Sequence, residues 1–160
     1  MSYRKLRTRA TRIALAAVTF WLLLAVLHAA AGPITVTAGD ELIFGKLVAA
    51  GGSGSIELNV PGSTVTCLVI DCLSGTEQFA SFTSTGDNNT AVVITLPSST
   101  SISSGANSMT VDTFTHDAGG SPTFDGSGNF PFKVGAKLSV GASQATGSYT
   151  GQYTVTLEYL

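Results

Sequence analysis

The residue pattern predicts an all-β protein, a β-sandwich carried behind an N-terminal signal-peptide helix, and three observations carry that expectation. Beyond residue 31 no stretch repeats its apolar residues with a helical period. Clusters of Gly, Ser and Thr recur roughly every ten residues between β-branched and aromatic runs, as sandwich turns do. The last fourteen residues (GSYTGQYTVTLEYL) sort their side chains onto two faces. Tyr149, Gly151, Tyr153, Val155, Leu157 and Tyr159 share one face, and Thr150, Gln152, Thr154, Thr156 and Glu158 share the other. Strand side chains alternate with period 2, so this terminus is expected to lay an apolar row on a core while its threonines stay wet.

In chain order, residues 1–31 have the form of a processing signal. A basic start (Arg4, Lys5, Arg7, Arg9, Arg12) precedes an apolar run from Ile13 to Leu27, and Ala29, Ala30 and Ala31 form a small-residue cleavage site. Cleavage is expected before Gly32. The apolar run falls short of the roughly 20 residues a membrane span needs, so a retained anchor is the weaker alternative and no span is expected after cleavage. Residues 32–160 then form a single domain.

Its strands are expected at 34–38, 41–48, 55–60, 64–67, 78–84, 91–96, 108–114, 132–140 and 148–159. Turn chemistry separates them at Gly51-Gly52-Ser53-Gly54, Pro61-Gly62, Gly86-Asp87-Asn88-Asn89 and Pro97-Ser98-Ser99. The stretch from Asp117 to Asn129 is rich in glycine and proline and is expected to be a mobile surface loop.

Charge narrows the partners. Cleavage removes five of the eight basic residues and leaves Lys46, Lys133 and Lys137 against all ten acids, a formal charge of −7. With no basic patch, nucleic acid and anionic membranes are not expected partners. Cys67 and Cys72 form a C-x4-C pair in an exported chain, without the nearby ligands a metal would require. A disulfide pinning a turn between two strands is expected, with two buried thiols as the alternative.

Catalytic chemistry is sparse. His116 is the only histidine left after cleavage, and Asp112, His116 and Asp117 project differently along a strand and match no ligand spacing. Gly86-Asp87-Asn88-Asn89 has half the look of a calcium loop, yet a turn accounts for it. No nucleophile elbow or phosphate-binding loop is found. No enzyme activity, metal or cofactor is expected.

The terminal strand carries a more specific signal. Its penultimate tyrosine (Tyr159), its glycine fourteenth from the end (Gly147) and its alternating Leu157, Val155 and Tyr153 resemble the C-terminal motif of chaperone–usher pilus subunits. Leu42-Ile43-Phe44-Gly45, Leu96-Pro97, Phe132-Lys133-Val134-Gly135 leading to Leu138, and Gln144 to Gly147-x-Tyr149-x-Gly151 are similar to the bacterial family catalogued as domain of unknown function 4402. That similarity spans nearly all of residues 32–160.

The resemblance implies an immunoglobulin-like sandwich that lacks its last strand, with an acceptor groove beside Gly147, Tyr149, Tyr153, Val155, Leu157 and Tyr159. It implies a structural subunit of a pilus or fimbria, exported to the periplasm and then the cell surface and assembled by donor-strand exchange. Like subunits or other pilins, a periplasmic chaperone and an outer-membrane usher are the partners it implies. A candidate donor strand is the segment holding Ile34, Val36 and Ala38, which alternate with threonines. The competing reading of that segment is an ordinary first strand of its own sandwich. The alternative for the whole protein is a self-complete secreted adhesive or binding module using the 117–129 loop.

Overall fold

A computed structural model describes residues 31–49, 51–73 and 75–160; the expected signal peptide lies outside the described residues except for Ala31. Eleven strands are seen there, and no helix: β1 (Thr35–Ala38), β2 (Lys46–Ala49), β3 (Gly54–Asn59), β4 (Thr64–Leu68), β5 (Ile70–Leu73), β6 (Ala80–Thr85), β7 (Val92–Thr95), β8 (Ser99–Ser104), β9 (Asn107–His116), β10 (Asn129–Val140) and β11 (Thr156–Tyr159). All pairings are antiparallel. The all-β class expected from the sequence is the class observed.

Strand β10 is the spine. Its even-numbered residues Phe130, Phe132, Val134, Ala136, Leu138 and Val140 are buried, and its alternation is what a half-buried strand requires. One edge of β10 pairs first with β6, through Asn129–Val134, and then with β3, through Lys137–Val140. Its other edge holds β9, which in turn holds β8. A register shift between Gly135 and Lys137 marks a bulge, and Thr113 on β9 has φ +52°. Gly135 permits the bend because a Cβ there would collide with the Leu58 carbonyl.

The main sheet runs β1-β6-β10-β3-β4, with β9 and β8 beyond β10, and two ribbons, β7 with β11 and β2 with β5, complete the curled layers. Two apolar clusters fill the interior. One gathers Ile56, Leu58, Ile70, Val111 and Leu138; the other gathers Val92, Phe124, Phe130, Phe132 and Leu157. Burying each such side chain contributes about 1.5–3 kcal/mol. In the second cluster Phe132 stacks on Phe130 at 5.5 Å and on Phe82 at 5.2 Å.

Four local expectations are corrected. The strand expected at 41–48 is broken: Gly45 takes φ +79°, Ile43 makes only an isolated bridge to Gln78, and regular pairing begins at Lys46. Strand β8 falls where a turn and loop were expected, because its Ser-rich sequence is held by six cross-strand pairs with β9 rather than by apolar side chains. Strand β5 was missed because it follows β4 after a single residue, Val69. The 117–129 segment, expected as a mobile surface loop, is anchored to the core at Phe124. Phe124 is 1% exposed, its N–H donates to the Thr90 carbonyl (3.0 Å), and the Asp125 carboxylate accepts the N–H groups of Ser127 and Asn129 (2.8 Å each).

Candidate functional site

The C-terminal segment runs antiparallel along β7 and then β8. Thr156–Tyr159 pairs with Val92–Thr95, and Leu160 N–H donates to the Ala91 carbonyl (3.1 Å). Farther up, Thr150 and Ser103 exchange both backbone bonds (2.8 and 3.0 Å), and the Thr100 hydroxyl donates to the Gln152 carbonyl (2.8 Å). The register slips by two residues between these contacts, where Pro97 lies on the facing chain and offers no N–H. That slip is why the strand expected at 148–159 is regular only over Thr156–Tyr159.

The two expected faces are observed. Thr150, Gln152, Thr154, Thr156 and Glu158 are exposed, whereas Leu157 is buried and Tyr149, Tyr153, Val155 and Tyr159 are half-buried. Gly151 lets the segment approach β8 closely, since a Cβ there would stand 2.6 Å from the Ser101 carbonyl oxygen. The end of the segment is anchored through Tyr159. Its hydroxyl accepts the Asp87 N–H (2.7 Å), its ring meets Phe124 edge-on at 5.9 Å, and the Asp87 carboxylate accepts the Gly32 N–H (3.0 Å). The Tyr149 hydroxyl donates to the Ala145 carbonyl (2.7 Å) and accepts from Gln144 Nε2 (2.8 Å), closing the turn around Gly147.

Backbone pairing alternates in direction, so the even residues of this segment point their N–H and C=O groups at β7 and β8. The odd residues point theirs the other way, and that edge has no backbone partner among the described residues. Strand β1 is the matching edge. It pairs with β6 alone, in the register Val36 to Ser84 and Ala38 to Phe82. Paired residues share a face, and Ala80, Phe82 and Ser84 face the core. Val36 and Ala38 therefore look inward, yet Val36 is 38% exposed and Ala38 is exposed as well. Among the described residues, neither packs against the two apolar clusters.

Between these two free edges lies aromatic surface. Tyr153, on the C-terminal segment, meets Phe82 edge-on at 6.5 Å and Phe114 at 5.2 Å. Phe82 is the cross-strand partner of Ala38, so one tyrosine connects the terminal segment with the strand beside β1. Burial pushes the Tyr153 phenol up to about 12. The arrangement is an open seam: two strand edges with spare hydrogen-bonding groups beside a row of half-covered apolar side chains.

The structure places each expected site residue as follows. Tyr153, Val155, Leu157 and Tyr159 line the seam side of the terminal segment, and Gly147 and Tyr149 hold its upper turn. Ile34, Val36 and Ala38 lie on or next to β1, against the same chain's β6, with Ile34 packed on the second apolar cluster. Cys67 and Cys72 are disulfide-bonded, with Cα atoms 6.3 Å apart, across Val69. The bridge pins a turn between two strands, as expected, and it joins the main sheet to the β2–β5 ribbon. Phe82 and Phe124, which sequence reasoning did not single out, also build the seam and its floor, together with Phe132 of the family-like stretch. Phe82 alternates with Ser84, which is a weak core signal, and Phe124 was hidden in a glycine-rich stretch.

The acid and histidine side chains are separately engaged. The His116 Nδ1 accepts the Ala118 N–H (3.3 Å), Asp112 pairs with Lys137 (3.2 Å), and Asp117 accepts the Lys133 N–H (2.8 Å). No group of three or more His, Cys, Asp or Glu that could hold a metal ion is found among the described residues.

Comparison with known proteins gives one positive finding: the family described as Domain of unknown function (DUF4402) matches residues 34–159. No curated protein and no solved structure matches the chain.

Proposed function

The chain belongs to the family Domain of unknown function (DUF4402), and from that premise we propose that it is an exported structural subunit of a bacterial surface fibre whose seam accepts a strand from another chain. The observation that carries this reading is the pair of free edges, β1 and the terminal segment, on either side of Phe82 and Tyr153. A strand laid there would satisfy the backbone of residues 151, 153, 155, 157 and 159 and cover Val36 and Ala38. If four or five apolar side chains enter at about 1.5–3 kcal/mol each, the gross gain is roughly 6–15 kcal/mol, comparable to the net stability of a whole domain. Like subunits or other pilins would supply the strand in the fibre, and a periplasmic chaperone would supply it beforehand, with an outer-membrane usher as the exit. The route is the signal peptide, then the periplasm, then the cell surface. The reading needs no enzyme chemistry and no cofactor.

One observation favours a second reading. Residues 35–38 are already paired with β6 of the same chain, which suits a self-complete secreted binding or adhesive module. Expression of the full-length gene with a chaperone and usher separates the two. Fibre formation predicts ladders that resist detergent until boiled, with slow amide exchange at Tyr153 and Val155 in the polymer. A processed protein that stays a monomer, melts cooperatively and never yields a ladder would reject the fibre in favour of the module. If ladders form but persist after deletion of residues 32–39, the strand comes from elsewhere than β1.

A further inference from the structure

We propose that β4 is a second, self-complementary docking edge, through which two copies of this chain join laterally about a two-fold axis. The contact lies on the main sheet away from the seam and does not depend on strand addition there.

Strand β4 (Thr64–Leu68) ends the main sheet. It pairs with β3, and its other edge has no backbone partner among the described residues. Natural edge strands are blunted by lysine, proline, bulges or inward charges. Strand β4 carries none of these, and residues 58–70 contain no charged side chain at all. Val65 sits opposite Leu58, which is fully buried, so it faces the core side; it is nevertheless 44% exposed because no strand lies beyond it.

The adjoining corner is unusually apolar. Val48, Val65, Leu68, Val69 and Leu73 are five of the nine large hydrophobics exposed among the described residues, and all belong to β2, β4, β5 or the residue between the last two. Val69 has φ +62°, a left-handed conformation that a β-branched residue rarely takes. Such backbone persists only where the surroundings over-determine it. Here β4, β5 and the disulfide bracket it, holding Leu68 and Val69 out toward solvent at 59% and 67% exposure.

An extended strand is the occupant that satisfies an unpaired row of N–H and C=O groups. A second copy fits because the sequence Thr-Val-Thr-Cys-Leu pairs with itself. A two-fold axis normal to the sheet keeps inner faces together, so residues of the same parity must oppose. The axis then passes through Thr66, the middle residue of five. Thr66 faces Thr66 of the second copy, Val65 faces its Cys67 and Thr64 faces its Leu68. Inner apolar residues meet inner apolar residues, and Thr–Thr pairs are favourable across strands. The contact is isologous and closes on itself. Electrostatics permits it despite the acidic chain. Glu57, the charge paired with Thr66 on β3, is one strand inward beside Lys137, so two such carboxylates would stand about 14 Å apart, three strand spacings and beyond a Debye length of about 10 Å at 0.1 M salt.

The test uses the full-length gene with a photoreactive side chain in place of Leu68, and maps cross-links by mass spectrometry on the processed protein, monomeric or fibrous. Cross-links between copies are expected at 63–65. Thr66→Glu or Thr66→Lys alone places like charges face to face and lowers the yield at least about tenfold; mixing the two variants restores it. Because position 66 is exposed, neither substitution disturbs the core, and cross-links arising at the seam would map to β1 or to residues 149–159. Cross-links confined to the seam or to a different protein, a yield indifferent to charge at residue 66, or no recovery on mixing would each overturn the proposal.

Discussion

Replacing Phe124 by alanine tests the claim that the 117–129 segment is part of the core. Phe124 is 1% exposed, and its ring meets Phe130 at 6.0 Å and Tyr159 at 5.9 Å, both edge-on. Truncating a buried phenylalanine costs about 3–5 kcal/mol, against a total stability of roughly 5–15 kcal/mol for a domain of this kind. For residues 32–160, an unfolding entropy of about 2.1 cal/mol/K per residue makes each kcal/mol worth roughly 3.7 °C. The melting temperature should therefore fall by roughly 11–18 °C. Thermal unfolding followed by circular dichroism gives the shift, and Phe124→Leu should recover much of it because volume and apolarity are largely kept. A loss smaller than about 3 °C would mean that the segment is an ordinary surface loop, and the reasoning about the seam floor would fail with it. Tyr159 provides an internal control. Its ring loses a partner in Phe124→Ala, so amide protection at Glu158 and Leu160, whose N–H groups face β7, should weaken more than at β3.

Other perturbations address the seam and its supports. Tyr159→Phe removes the hydroxyl that accepts the Asp87 N–H and should cost about 1 kcal/mol, measured by urea unfolding. Gly151→Val forces a side chain against the Ser101 carbonyl and Ile102, so a loss of about 1–3 kcal/mol is expected, together with faster exchange at Thr150. The phenol of Tyr153 is raised by burial above its ordinary value of 10 to about 12 in the folded chain, so its contribution is complete below pH 10 and is lost as pH climbs from 10 through about 12. Wild type should lose stability in that window faster than Tyr153→Phe, and a late-titrating tyrosinate should be visible by ultraviolet absorbance. Substituting both Cys67 and Cys72 by alanine opens a six-residue loop and should lower stability by about 2 kcal/mol, with the largest rise in exchange at β4 and β5.

Much of this architecture was legible from residue order. Strand β3 and the second half of β10 were readable because Ile56 and Leu58 alternate with polar neighbours, and because Val134, Leu138 and Val140 recur at even spacing. The terminal segment was readable for the same reason, and both of its faces are where period 2 puts them. Strand β8 was not readable: six residues with Ile102 as the only large apolar side chain become a strand through their pairing with β9. Phe124 was misread because glycine and proline around it suit a loop equally well whether or not the loop is packed.

The seam separates the two kinds of information. Alternation in Tyr153, Val155, Leu157 and Tyr159 determined that the terminus offers an apolar row, since side-chain direction along an extended chain is a local property. Which edge of that strand is taken, and by whom, is not local. Only the fold decided that β7 and β8 occupy one edge, that β1 binds β6 while leaving Val36 and Ala38 uncovered, and that Tyr153 reaches Phe82 between them. Hydrogen bonds between strands join residues far apart in sequence, so an unpaired edge becomes visible only once every other strand has been put in place.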